Sequence, residues 1–243
     1  MTDLIQAQIA FMLWVQSLIP ALAPVFKSIN FLQTEEFFLI ALPIVWWCVN
    51  KRVGASLAIL FLSSDYLVRV LKGLSGVPRP YDVESRIRNL DPQADPSFPS
   101  AGVMDTTIFW GYLALQFRNR AFWTWTVFAI ILLSFTRVYL GVHYPMDSIA
   151  SVILGTAIMA IVVGGKVVNR IASSPRAALW IIAIASPLVL AAMRLNPETA
   201  ITLGAMLGFN IGLMVESQWV RFEPRGEWWK QIVKIVIGLA VGL

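Results

Sequence analysis

Seven stretches of the chain are apolar for nearly the roughly 20 residues that a bilayer-spanning helix needs: 36–49, 53–71, 101–117, 121–140, 147–165, 177–193 and 199–215. The first is short and is expected to reach back toward Phe31, which sets Glu35 and Glu36 at its outer end. Residues 4–26 are also apolar, but Gln6, Gln8, Gln16, Pro20 and Pro24 interrupt them. That pattern predicts an interfacial or re-entrant N-terminal helix over 1–30 and not a clean span. No basic stretch precedes it, so it reads as a retained helix and not a cleaved signal. The final run, Gln231 to Leu243, is too short to cross unaided. The pattern as a whole predicts an all-α, polytopic membrane bundle.

One segment breaks the apolar rhythm. Lys72–Phe98 carries eight charges and four of the thirteen prolines, and nothing else resembles a water-facing loop of that size. Composition agrees with a membrane reading. The 243 residues are 58% hydrophobic and 14% charged, with a mean hydropathy of +0.71. A soluble domain is nearer about 45–50% apolar and about 25% charged, so an ordinary soluble enzyme and a disordered chain are both excluded. The single cysteine, Cys48, rules out an internal disulfide and any multi-cysteine metal site. The single histidine, His143, means that no site within one chain uses two imidazoles.

The net charge of +5 would suggest nucleic acid on a soluble domain, but here the cations are segregated. Alternate connections hold Lys51/Arg52, Arg118/Arg120, Lys166/Arg170/Arg176 and Arg221/Arg225/Lys230. The intervening connections, 72–98, 141–146 and 194–198, are mixed or acidic. By the positive-inside rule the first set is cytoplasmic and the second faces the periplasm or exterior. The chain is therefore expected in the cell (inner) membrane, with the bilayer as its environment and no nucleic-acid partner.

Three short signals converge on the outer side. Lys72, Arg79 and Pro80 stand at the exit of the second apolar helix; Pro99-Ser100-Ala101-Gly102 opens the third; Arg137, His143 and Asp147 join the fourth to the fifth. These are the parts of an oxyanion site. Arg79 and Arg137 offer planar, permanently charged forks that match phosphate oxygens, and Lys72 adds a point charge. Ser100 and the amides of Ala101 and Gly102 begin a helix, where unpaired N–H groups favour anions. A neutral nitrogen of His143 can attack phosphorus, and Asp147 can hold the other ring N–H.

These residues resemble the type 2 phosphatidic acid phosphatase (PAP2) family, whose pattern is K-x6-RP, then PSGH, then SR-x5-H-x3-D. The first signature is present as Lys72, Arg79 and Pro80, and the third as Arg137, His143 and Asp147, with Thr136 in the serine place. The surrounding Thr34-Glu35-Glu36-Phe37-Phe38 and Val138-Tyr139-Leu140-Gly141-Val142-His143-Tyr144-Pro145 look like bacterial membrane members. The resemblance implies a six-helix core over 31–170 with additional transmembrane helices over 171–243. It also implies removal of phosphate from a phosphorylated membrane lipid through a phosphohistidine on His143, with no metal or other cofactor.

The second signature departs from the pattern. Gly102 stands where the family has the histidine that protonates the departing alkoxide. General acid catalysis is worth about 10²–10⁴-fold, so three readings stay open. Asp105, one helical turn on, replaces the acid; or the substrate is a lipid pyrophosphate, whose leaving group needs no proton; or the protein binds phosphorylated lipid without turnover.

Overall fold

The computed structural model describes residues 3–18, 20–224 and 226–242. Arg225, one of the cations used above for orientation, and Leu243, the end of the last apolar run, lie outside them. Every regular element among the described residues is helical, as the apolar periodicity predicts. Among the described residues five helical stretches are long and apolar enough to cross a membrane: Lys51–Val83, Arg120–Tyr139, Pro145–Ile171, Arg176–Met193 and Pro197–Val220; the predicted stretches 36–49 and 101–117 are not among them. The protein is a multi-pass, all-α membrane protein. Its residues form two compact units, Met1–Phe37 with Leu67–Ala157, and Phe38–Tyr66 with Ile158–Leu243.

The first unit opens with α1 (Asp3–Leu18) and α2 (Ala23–Asn30), which with their short 3-10 turns make two arms bent by 86°. Such a bend is what a broken span or a re-entrant segment shows. α3 (Glu35–Ile44) and most of α4 (Lys51–Ser75) contribute to the second unit, and the last turns of α4 return the chain to the first. There follow α5 (Pro80–Val83), α6 (Ala101–Phe117), α7 (Arg120–Tyr139) and α8 (Pro145–Gly164). The second unit is completed by α9 (Val167–Ala172), α10 (Arg176–Met193), α11 (Pro197–Val215) and α12 (Trp228–Gly242).

α6 is buried on all sides from Gly102 to Ala114 apart from Trp110, which accounts for its lack of a polar face. It stops at Arg118, whose φ of 52° turns the backbone out of the helix, and Asn119 then caps α7 by accepting the Ala121 N–H at 2.8 Å. α8 lies close against α6 because Gly155 has no side chain. A β-carbon there would come within 3.2 Å of the Met104 carbonyl oxygen and 3.3 Å of Thr107.

α1 is packed onto the segment after α5 and onto the end of α7. Ile9 and Met12 meet Ile87, Val138 and Tyr144 in one cluster; Val15 joins Phe26, Tyr139, Leu140 and Val142 in another. Gln16, which counted against a clean span, is buried and satisfied. Its amide donates to the Arg88 and Tyr139 carbonyls at 3.0 and 2.9 Å, and its Oε1 accepts the Arg88 N–H at 2.9 Å. At the end of α7 the turn runs through Gly141 at φ +83°, where a β-carbon would lie 2.5 Å from the Arg88 carbonyl oxygen. Only glycine fits, and this turn sets the position of His143.

In the second unit, polar groups in apolar helices find partners. Tyr66 donates to the Leu190 carbonyl at 2.7 Å, Thr202 donates to Asp65, and Lys51 pairs with Glu216.

Candidate active site

Each signature reaches the site by a separate element of the first unit. Lys72 sits in the last turn of α4, Arg79 caps α5, Ser100 caps α6, Arg137 ends α7, and Asp147 lies in the first turn of α8. His143 is carried by the turn between α7 and α8 and is 1% exposed. Arg79 Nη1 and Arg137 Nη2 stand 3.4 and 3.5 Å from its Nε2. Both guanidinium groups can only donate, so Nε2 is the unprotonated nitrogen and Nδ1 carries the hydrogen. Burial, then the charges of Arg137, Arg79 and Lys72, hold the imidazole pKa well below its ordinary value. The ring is neutral at physiological pH with its lone pair aimed between two cations.

The other face of the ring differs from the sequence expectation in one respect. Asp147 Oδ2 lies 3.7 Å from Nδ1, beyond a good hydrogen bond. It is held instead by the Ser97 hydroxyl at 2.5 Å and the Tyr144 N–H at 2.9 Å, while Ser97 Oγ also stands 3.4 Å from Nδ1. Ser97, fully buried, is thus interposed between aspartate and imidazole.

The cations are not bare. Asp95 Oδ2 is 3.0 Å from Lys72 Nζ, and its Oδ1 is 2.5 Å from Arg79 Nη2. Burial works against the Asp95 charge, but Lys72 and Arg79 together overcome it and hold the carboxyl below its usual pKa. Asp91 pairs with Arg137 at 3.2 Å, and Asn30 of α2 bridges that pair, accepting from Arg137 at 2.8 Å and donating to Asp91 at 3.0 Å. Two carboxylates of the 84–98 loop therefore occupy cations that the resemblance assigns to phosphate.

Ser100 is close by. Its N–H donates to Ser151 at 2.8 Å, Ser151 donates to the Asp147 carbonyl at 2.7 Å, and the buried Ser100 hydroxyl has no partner. Ala101 and Gly102 begin α6 behind it. Asp105 is buried one turn past Gly102. A β-carbon on Gly102 would lie 3.0 Å from the Cβ and carbonyl oxygen of Gln33, and 3.4 Å from its Oε1. Among the described residues no three His, Cys, Asp or Glu side chains gather to hold a metal.

The sequence signatures missed Ser97, Asp91, Asp95, Asn30 and Gln33. The last two are three apart and so share a helix face, but Lys27 and Ser28 in the same stretch blur that signal.

Fold and site together define a helical membrane protein in which two guanidinium groups converge on one buried imidazole. Family comparison agrees. The PAP2 superfamily model matches residues 53–171, and that of the PAP2 superfamily phosphatase transmembrane extension matches 200–243. The chain belongs to the PAP2 superfamily. It is 28% identical over 219 residues to a probable sphingosine-1-phosphate phosphatase of Dictyostelium discoideum, covering 79% of this chain and 53% of that one. It is 31% identical over 110 residues to an undecaprenyl-diphosphatase of Sulfolobus acidocaldarius, covering 44% and 52%. The chain thus spans about half the length of these two relatives. The fold matches that of a transmembrane PAP2-type phosphatidylglycerolphosphate phosphatase from Bacillus subtilis, with a TM-score of 0.59 at 22% identity over 68% of this chain and 87% of that one. It also matches Aquifex aeolicus LpxE, with a TM-score of 0.59 at 21% identity over 64% and 93%.

Proposed function

We propose that the protein is a membrane phosphatase that removes phosphate from a phosphorylated lipid through a phosphohistidine on His143. The observation that carries this is the neutral Nε2 standing 3.4 Å from Arg79 and 3.5 Å from Arg137. In this reading the lipid phosphate displaces Asp95 and takes its place on Lys72 and Arg79, with Arg137 closing the third side. Ser100 and the first amides of α6, at Ala101 and Gly102, complete the cradle. Nε2 attacks phosphorus, and the positive charge that forms on the ring is balanced by Asp147 acting through Ser97. The site opens toward the outer face of the cell membrane, supported by the cationic connections on the opposite side.

Gly102 narrows the substrate. No imidazole can protonate a departing alkoxide from that position. A lipid diphosphate expels a phosphate monoester, a much better leaving group, and so needs less help. The sequence similarity to an undecaprenyl-diphosphatase points the same way. Gly102 also favours a second reading, a protein that binds phosphorylated lipid without turning it over.

Purified protein in detergent micelles, given farnesyl diphosphate or dioleoyl phosphatidic acid, separates the readings. Phosphate release from the diphosphate, abolished by His143→Ala, is the expected result. Binding of both lipids with release from neither would overturn the enzyme reading in favour of the binder.

A further inference from the structure

We propose that Gln33 is the water-positioning residue for hydrolysis of the phosphorylated His143, standing on the ground that a side chain at position 102 would otherwise fill. The inference deepens the phosphohistidine reading and rests on it.

Gln33 ends the helical stretch that follows α2 and is 6% exposed. Its Nε2 donates to the Leu133 carbonyl at 3.0 Å. A carbonyl can only accept, so the amide nitrogen must face it and Oε1 is the end left over. That Oε1 is buried with no partner. Leaving a buried acceptor unpaired costs free energy unless something fills the place. Its position is specific: Oε1 lies 3.4 Å from where the β-carbon of a residue at 102 would be, against the first turn of α6. Ser100 Oγ, at the N-cap of the same helix, is another buried oxygen without a partner.

Gln33 is also tied to the reacting centre. Leu133, whose carbonyl holds its amide, is one helical turn before Arg137. Asn30, one turn before Gln33, accepts from Arg137 Nη1, and Arg137 Nη2 lies 3.5 Å from His143 Nε2. The N-terminal segment therefore sets one carboxamide on the phosphate cation and the next on the vacated side-chain place. A glutamine carboxamide does this work in GTP-hydrolysing enzymes, where it orients the attacking water without acting as a strong base.

The step balances without another reactant. The water oxygen forms its bond to phosphorus as the P–Nε2 bond breaks, and the electron pair of that bond returns to the imidazole. Gln33 Oε1 accepts a hydrogen bond from the water but does not take its proton. Both water hydrogens end on the product, which leaves as dihydrogen phosphate, and His143 is again neutral.

The test uses the full chain in micelles with farnesyl diphosphate radiolabelled in its terminal phosphate. Gln33→Leu should release farnesyl phosphate in a burst near one equivalent per chain. Steady phosphate release should then fall at least about tenfold, with acid-labile, base-stable label accumulating on the protein. A purely structural loss would reduce burst and steady rate together. If Gln33→Leu loses both, Gly102→Ala decides. Its added methyl group pushes Gln33 without removing it, and slowed hydrolysis with the burst intact is expected. An unchanged steady rate in Gly102→Ala in that case, or in Gln33→Leu itself, overturns the role of Gln33. Wild-type protein that releases phosphate without ever carrying label on His143 overturns the underlying reading instead.

Discussion

Asp147 and His143 stand 3.7 Å apart, and the hydroxyl of Ser97 fills the interval, 2.5 Å from the carboxylate and 3.4 Å from Nδ1. The aspartate therefore reaches the imidazole only by way of a serine. Ser97→Ala removes the intermediary and leaves the carboxylate with the Tyr144 N–H alone. We expect kcat to fall about tenfold or more with KM little changed, because the lost interaction belongs to the charged ring of the transition state. Steady-state kinetics on a lipid diphosphate check this.

Asp95→Asn should bind substrate more tightly. The neutral amide no longer competes for Lys72 and Arg79, so KM is expected to fall about threefold to tenfold. The same change leaves two buried cations less well paired. The Asp95 side chain is 37% exposed, so solvent screening limits the stability cost to about 1 kcal/mol. Titration with a lipid diphosphate and thermal unfolding in micelles measure the two effects.

The pH dependence follows from two groups whose pKa values are both lowered by folding, so both lose stability as pH falls. His143 stays unprotonated well below its ordinary pKa, so kcat/KM should not fall between pH 8 and about 6, where an ordinary imidazole would titrate. The unfolded chain takes up that proton and the folded one refuses it, so stability from this group is lost as pH drops below about 6.5. Asp95 has a lowered carboxyl pKa. Its contribution is complete above about 3.9 and disappears only as pH falls through the folded value. A pH–rate profile showing a limb near 6.5 would contradict the first statement.

Asp105→Asn distinguishes two roles for that buried carboxyl. As a stand-in acid it should matter for phosphatidic acid, whose alcohol needs a proton, and very little for a diphosphate. The acid role predicts a drop of about tenfold or more on the monophosphate alone. Equal effects on both substrates would make Asp105 a packing residue.

Gly141→Ala should destabilise the first unit by about 2 kcal/mol or more, since it combines φ +83° with a β-carbon 2.5 Å from the Arg88 carbonyl oxygen. Activity should fall with it, because the turn carries His143. Thermal unfolding in micelles beside a turnover assay reads both.

The cations, the histidine and the aspartate were legible because each belongs to a short motif at a helix end. Apolar periodicity put those ends on one side. Lys72, Arg79, Arg137 and His143 accordingly meet. The remainder was not legible for physical reasons. Asp91 and Asp95 lie in a loop with no period, so nothing in their spacing says which way they turn. Asn30 and Gln33 share a stretch with Lys27 and Ser28, so spacing alone did not single out the two polar side chains that are buried against Arg137 and Leu133. Gln16 shows the same limit: a polar residue that weakened the apolar run is the one that fastens α1 to Arg88.

The carboxylate resting on Lys72 and Arg79 is covalently part of the chain, so its local concentration never drops. Free phosphate arriving from solution must compete with a tethered anion at an effective concentration in the millimolar range. Any anion entering the cradle must first displace Asp95 from Lys72 and Arg79. On the phosphatase reading proposed above, such a guard is expected to blunt inhibition by inorganic phosphate.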